Sequence, residues 1–275
     1  MEVTLIAMTD AVMPDMGYKD NGLYGEKFAA EYVCDHAARA CTSADLKPLI
    51  TEDDTYLFWE DDNKKALKAA LKSGHESVLA HAVYTFEIRG VSRALTHQLV
   101  RHRVASFSQQ SQRYVNMGDF GYVIPASISQ NPDAFDDYTN LMGRIQCMYE
   151  EFASEEGYNI PEEDVRYILP NACTSNIVVT MNARELRHFF SLRCCKRAQW
   201  EIRQLATIML EICKEVSPTI FEDAGPSCVR DGFCREQRSC GRAPKLERII
   251  EIMDEIDGLA DIRDMERTAE RECHQ

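Results

Sequence analysis

Positive charge gathers where the chain offers nothing to neutralise it. The stretch "RHRVASFSQQSQRY", residues 101–114, holds Arg101, His102, Arg103 and Arg113 among serines and glutamines. Yet the 275-residue chain carries a formal charge of −14. No Asp or Glu occurs between Ile88 and Gly118, where Arg89 and Arg93 also lie. A second basic island runs from Arg184 through Arg187, Arg193 and Lys196 to Arg197, with only Glu185 opposing it. Two such islands in an acidic protein imply a focused anion site rather than a broad basic surface. Arginine presents a fixed fork of donors suited to phosphate, and glutamine both donates and accepts, which suits the edge of a base. On a continuous helix Gln98, Arg101 and His102 share a face. The hydroxyls of Ser106, Ser108 and Ser111 before Arg113 read as a polar loop able to wrap a phosphate. A solvated basic helix end is the plainer reading of the same charges.

The second island has its own geometry. Arg184 and His188 share a helical face, whereas Arg193 lies about 140° round from His188 if the helix is unbroken. The cysteines add less. Cys194 and Cys195 stand beside Arg193 and Lys196, which would lower a thiol pKa, but no acid–base partner accompanies them. Cys228, Cys234 and Cys240 recur every six residues, and Cys273 precedes His274. Five intervening residues exceed the two to four of ordinary zinc ligand pairs, so no metal is expected. No GxGxxG or GxxxxGK[ST] loop is present, which excludes Rossmann and Walker modes of nucleotide binding.

Elements must hold these groups in place. "VTLIAM" (3–8) reads as a buried strand. A helix is expected over 25–41, and another ends near Gly74, a common terminator. "AVYTFEIRG" (82–90) alternates as a strand, with Tyr84, Phe86 and Ile88 on one face. Residues 92–103 return to helical spacing with Ser92 as N-cap. Residues 131–157 form a long amphipathic helix, and Pro161 begins another that Pro170 ends. "SNIVVTMN" (175–182) is an apolar strand running into a helix with Asn182 as N-cap and Glu185 completing a capping box. Further on, Ile202, Leu205, Ala206, Met209, Ile212, Cys213 and Val216 make one apolar stripe. The mixed order predicts an α+β fold in one domain over 1–221. Residues 222–275 read as an appended Cys-containing loop and charged amphipathic helix. With no basic leader and no long apolar segment, the reading is a cytoplasmic protein with reduced thiols and no membrane contact. The acidic balance argues against a dedicated nucleic-acid partner.

Arg-His-Arg, seven residues, then Ser111, Arg113 and Tyr114 resemble the signature of the flavin-dependent thymidylate synthases. The resemblance runs from "LIAMTD" through "GHESVLAH", "HQLVRHR", "VRYILPNA" and "MNARELRHFFSLRCCKRAQWEIRQLA" to about residue 221. It implies an enzyme that binds FAD, reduces it with NADPH and methylates dUMP to dTMP with 5,10-methylenetetrahydrofolate, without a cysteine nucleophile. By the same resemblance Ser77, Arg101, His102, Arg103, Gln109, Asn182, Arg184 and His188 contact FAD, with His75 in the "GHES" loop. Position 109 is Gln where some relatives carry Glu. Gln98, Arg101, Gln110, Ser111, Gln112, Arg113 and Arg166 cradle dUMP, and Arg193 activates the uracil ring. A homotetramer with active sites shared between subunits is also implied. Residues 222–275 lie beyond the resemblance. The residue types alone leave room for a colourless RNA- or nucleotide-binding protein, or for a scaffold serving only in assembly.

Overall fold

In the computed structural model the described residues are 1–10, 29–44 and 64–243. Four strands make one antiparallel sheet in the order β1-β2-β4-β3: β1 (Glu2–Met8), β2 (Val83–Ser92), β3 (Ala105–Gln109) and β4 (Thr174–Asn182). Ten helices accompany them: α1 (Ala29–Ala40), α2 (Lys65–Lys72), α3 (Arg93–Leu99), α4 (Ala126–Ser129), α5 (Pro132–Ala153), α6 (Glu162–Val165), α7 (Ala183–Arg193), α8 (Trp200–Val216), α9 (Pro218–Phe221) and α10 (Ser227–Asp231). The fold is a single α+β domain. The charged helix expected over the last thirty residues lies outside the described residues.

Period-two alternation builds the centre of the sheet. Tyr84, Phe86 and Ile88 of β2 and Ile177, Val179 and Met181 of β4 are buried on one face. Phe86 is paired with Val179 and Ile88 with Ile177. Against them pack Leu186, Phe189 and Phe190 of α7 and Leu205, Ala206 and Met209 of α8. Each such side chain contributes about 1.5–3 kcal/mol by leaving water. The apolar stripe of α8 behaves as its spacing predicts, with Ile212 and Val216 only partly covered. A bulge between Ile88 and Val91 uses Gly90 at φ 66°, and resets the phase so that Val91 and Ser92 are buried. Gly suits that conformation because it lacks a Cβ. A second cluster (Met117, Phe120, Met142, Tyr149, Val165, Cys173) seats α5 and α6.

Four expectations need correction. β1 is not a buried strand: it is an edge strand whose residues are mostly alternately half-covered and exposed, with Ile6 half-exposed at its bulge. Residues 105–109, expected as a polar loop, form edge strand β3 on β4. Polar side chains are tolerated there because Ser106 and Ser108 point to the open face. The helix from Ser92 stops at Leu99, well short of Arg103. The long helix after Asn182 is broken: α7 ends at Arg193 and α8 restarts at Trp200, where the Gln199 side chain accepts from the Glu201 and Ile202 amides.

Buried charge ties the layers together. Glu201 on α8 accepts from the Ser92 amide (2.8 Å) and hydroxyl (2.5 Å), fixing the start of α3. Arg187 on α7 is buried and donates to the Asp223 carboxylate (2.6 and 3.1 Å), the Ile220 carbonyl (2.6 Å) and Glu76 (3.3 Å). It is therefore a structural member of the second basic island. Replacing it by an apolar side chain strands these acceptors. Arg187→Met should lower unfolding stability by about 2–4 kcal/mol in a urea titration; a loss below about 0.5 kcal/mol would show that the cluster is energetically idle.

Candidate active site

The site is built where β4 becomes α7 and α3 turns into β3. The Asn182 side chain accepts from the Glu185 amide at 2.9 Å, capping α7. The other half of the expected capping box is not made. The Glu185 carboxylate instead meets His102 Nδ1 at 3.0 Å. His102 reaches it because the chain tightens after Leu99: the Arg101 amide donates to the Gln98 carbonyl and the His102 amide to the Leu99 carbonyl. This tight turn places His102 inside, with Arg101 and Arg103 exposed on either side. Gln98, Arg101 and His102 therefore do not share a helical face.

Arg193 closes the constellation. Its Nε–H donates to His102 Nε2 at 3.2 Å, and another guanidinium N–H reaches the Gln98 carbonyl at 3.5 Å. The His188 ring lies 5.9 Å from the same imidazole and Phe189 stands edge-on to it at 4.9 Å. The 140° offset thus does not send Arg193 and His188 to different partners. Arg193 is the last residue of α7, and its long side chain folds back. With Nε2 accepting, Nδ1 carries the ring proton and donates to Glu185. Burial, Arg193 and His188 hold the imidazole below its ordinary pKa against the opposing pull of Glu185. Burial also draws Arg193 down, but a guanidinium stays cationic.

A metal does not suit this cluster. Donor atoms of His102, Glu185 and His188 lie within 4.8 Å of one another. The Arg193 cation, however, already occupies the Nε2 lone pair that an ion would need.

The far end of β3 carries a second group. Ser111 Oγ accepts from the Arg113 amide at 3.2 Å. Arg113 pairs with Glu163 at 2.8 Å, and Arg166 donates to the Glu163 carbonyl at 3.0 Å. Glu163 thus joins two expected site arginines, one before and one after α5 in the sequence. The Arg113 charge, unopposed in sequence, is opposed in space. Tyr114 and Tyr167 lie against these guanidinium groups and are largely exposed. The Gln110 side-chain carbonyl accepts from the Asn176 amide, and the Gln112 amide faces Cys173 Sγ. Gln109 donates to Thr96 and Ser175, both at 3.1 Å, bracing β3 against α3 and β4. The five residues of β3 separate Arg103 from this group by about 16 Å. Among the described residues, no hydrogen bond or ion pair joins Arg101–Arg103 to Ser111–Arg113.

The remaining residues flank the first group. Arg184 and His188 are exposed on α7, and Asn182 sits at its start. Ser77 and His75 belong to the exposed turn around Glu76–His81, which Glu76 ties to α7 through Arg187. Among the described residues, no acidic side chain is within ion-pair distance of Arg101, Arg103 or Arg184. Sequence reasoning missed two positioning groups, Glu185 beyond its cap and Glu201. The only signal for either was an acid lying inside or beside a basic island.

The geometry sets arginines near both ends of a short strand and clamps one imidazole between a carboxylate and a guanidinium. Comparison with known proteins gives this a family. The family described as thymidylate synthase complementing protein matches residues 26–219. A flavin-dependent thymidylate synthase of Geobacter sulfurreducens is 45% identical over 224 residues, covering 79% of this chain and 91% of that protein. One of Clostridium tetani is 44% identical over 233 residues, covering 80% and 92%. One of Pyrococcus abyssi is 48% identical over 186 residues, covering 65% and 75%. The chain belongs to the flavin-dependent thymidylate synthase family, enzymes of the methyltransferase class.

The clamp has a pH signature. Because the folded pKa of His102 is depressed, the unfolded chain binds its proton more readily. The contribution of His102 to stability is therefore complete above the ordinary histidine range and is lost as pH falls through the lower folded value. Following the His102 ring by NMR, its midpoint should lie below about 6.5. Glu185→Gln, which removes the one opposing charge, should move it lower still; a midpoint that rises in this variant would contradict the assigned proton positions.

Proposed function

We propose that this chain catalyses the reductive methylation of dUMP to dTMP. The carbon comes from 5,10-methylenetetrahydrofolate and the hydride from FAD reduced by NADPH. The observation that carries the reading is the clamp itself: Glu185 and Arg193 from one segment of the resemblance both reach His102 of another at hydrogen-bond distance.

The residues fit a flavin dinucleotide. Arg101, Arg103 and Arg184 offer exposed guanidinium groups to a diphosphate, beside the capped start of α7. Asn182, His188, Ser77 and Gln109 complete that set, with Gln109 acting through its brace on Thr96 and Ser175. When bound, FAD supplies the hydride chemistry, while the protein supplies orientation and charge. Neutral His102 keeps Arg193 fixed without repelling it. A guanidinium held beside the uracil ring stabilises negative charge developing there.

The second group suits a nucleotide monophosphate. Ser111, Arg113 and Arg166 offer hydroxyl and guanidinium donors, with Gln98, Gln110 and Gln112 for the base and sugar. The Arg113–Glu163 pair is half-exposed on both sides, so solvent screens it and it is weak. A phosphate dianion can take its place at small cost. The length of β3 supports a division of labour in which each end serves a different half-site, as in a homotetramer with shared active sites.

The thiols support a mechanism without a cysteine nucleophile. Burial pushes Cys194 up to about 11, the reverse of the activation its basic neighbours suggested. Burial likewise raises Cys34 to about 12, and Cys173 and Cys213 are raised too. Every described cysteine is free, in keeping with a reducing cytoplasm. No described helix is long and apolar enough to cross a membrane.

Purified protein should be yellow, and dUMP should perturb its flavin spectrum. Arg193→Ala should keep the flavin while lowering dTMP formation by about 10²–10³-fold. A colourless protein that FAD cannot reconstitute would overturn the reading, as would an Arg193→Ala variant with full turnover.

A further inference from the structure

A separate cleft opens along the exposed face of α8. Its volume is about 750 Å³, within the range of small-molecule sites. Lys196, Arg203 and Arg242 line it, and Glu211 is the one acid among the lining residues. Among the described residues, no acidic side chain pairs with any of these three cations. Trp200, in the first turn of α8, lines the cleft beside the Gln204 amide and is 36% exposed. The chain as a whole carries a formal charge of −14, so three unpaired cations round an exposed indole are a local reversal of its balance.

The walls of the cleft are held. One terminal nitrogen of Arg203 donates to the Lys196 carbonyl at 2.8 Å and faces the Ala198 carbonyl at 3.4 Å. The guanidinium is thereby oriented, with its other two nitrogens left for a ligand. Arg242 comes from the segment after Phe221, which is tied down just before it. Arg197 donates to the Arg238 carbonyl at 2.9 Å and pairs with Glu236 at 3.2 Å. The cleft adjoins the clamp along the chain, since Cys194, next after Arg193, also lines it. It shares no side chain with the clamp or with the other expected site residues.

We propose that this cleft binds a nucleoside triphosphate, with its phosphates on Lys196, Arg203 and Arg242 and its base on the Trp200 indole. Guanidinium forks match phosphate oxygens in pairs, and the lysine ammonium adds a point charge. An exposed indole offers a flat apolar face on which a base can stack. Three cations against one acid suit a run of phosphates better than a single one. The Gln204 amide, which donates and accepts, suits the sugar or the edge of the base. Because the cleft and the clamp use different side chains, the ligand binds beside a filled active site and is not consumed there.

The test is calorimetric titration of the full chain with ATP, in saturating FAD and dUMP so that neither of their sites is open to it. ATP should bind saturably, about once per chain, and more weakly as salt rises. Lys196→Ala with Arg242→Ala, both at exposed positions, should weaken it by about tenfold or more. Arg144→Ala, at an exposed arginine on α5, should leave it unchanged. Inorganic triphosphate should bind about tenfold more weakly than ATP, and Trp200→Leu should remove that difference. Should the Trp200 variant fail to fold, the comparison of ATP with inorganic triphosphate on the wild-type chain decides the same point. No ATP binding, or binding unchanged by losing Lys196 and Arg242, would overturn the proposal. Inorganic triphosphate binding as tightly as ATP would overturn the assignment of the base to Trp200. None of these readings depends on dTMP formation, so they stand apart from the proposed activity.

Discussion

A single imidazole, held from both sides, organises this molecule's chemistry. His102 gives its Nδ1 proton to Glu185 and its Nε2 lone pair to Arg193. Neither contact is local. Glu185 belongs to the first turn of α7 and Arg193 to its last residue, so the helix spans the imidazole like a caliper. That requires α7 to start where it does, which the Asn182 cap ensures, and to stop where it does, which the break before Gln199 ensures. It also requires α3 to end early and turn His102 inward. Ser92, locked by Glu201 of α8, fixes the start of α3. The core beneath exists largely to keep these endpoints in register.

Electrostatics gives the clamp its direction. A charged imidazole would repel Arg193 and lose its acceptor; a neutral one orients the guanidinium and leaves its charge unneutralised. Burial, with Arg193 and His188 nearby, favours the neutral form, and Glu185 keeps its tautomer unique. The exposed arginines differ in kind. Arg101, Arg103 and Arg184 are unopposed among the described residues. Arg113 is weakly paired with Glu163, and Arg187 is consumed inside the fold. Residues that look alike in the sequence thus separate into unopposed, weakly paired and structural charges.

Much of this was legible before any coordinates. The alternation in β2 and β4, the caps at Ser92 and Asn182, and the stripe of α8 follow from local residue chemistry. The illegible parts share one cause, partners distant in sequence. β3 is written in Ser and Gln and looks like a loop until β4 supplies its hydrogen bonds. The break between α7 and α8 has no Pro or Gly to mark it. Glu185 is a fitting capping-box residue, so its pairing with His102 could not be read from spacing. Glu163 and Asp223, which neutralise Arg113 and Arg187, lie 50 and 36 positions away.

The central claim is that these residues turn a bound flavin and dUMP into a methylating site that uses no protein thiol. Its most direct measurement is anaerobic turnover of dUMP by the purified chain with FAD, NADPH and 5,10-methylenetetrahydrofolate, following dTMP. The account predicts dTMP formation that requires all four components and survives replacement of Cys194 and Cys195 by Ser. No dTMP in the complete mixture, or turnover abolished by losing either thiol in a protein that still binds flavin, would contradict it.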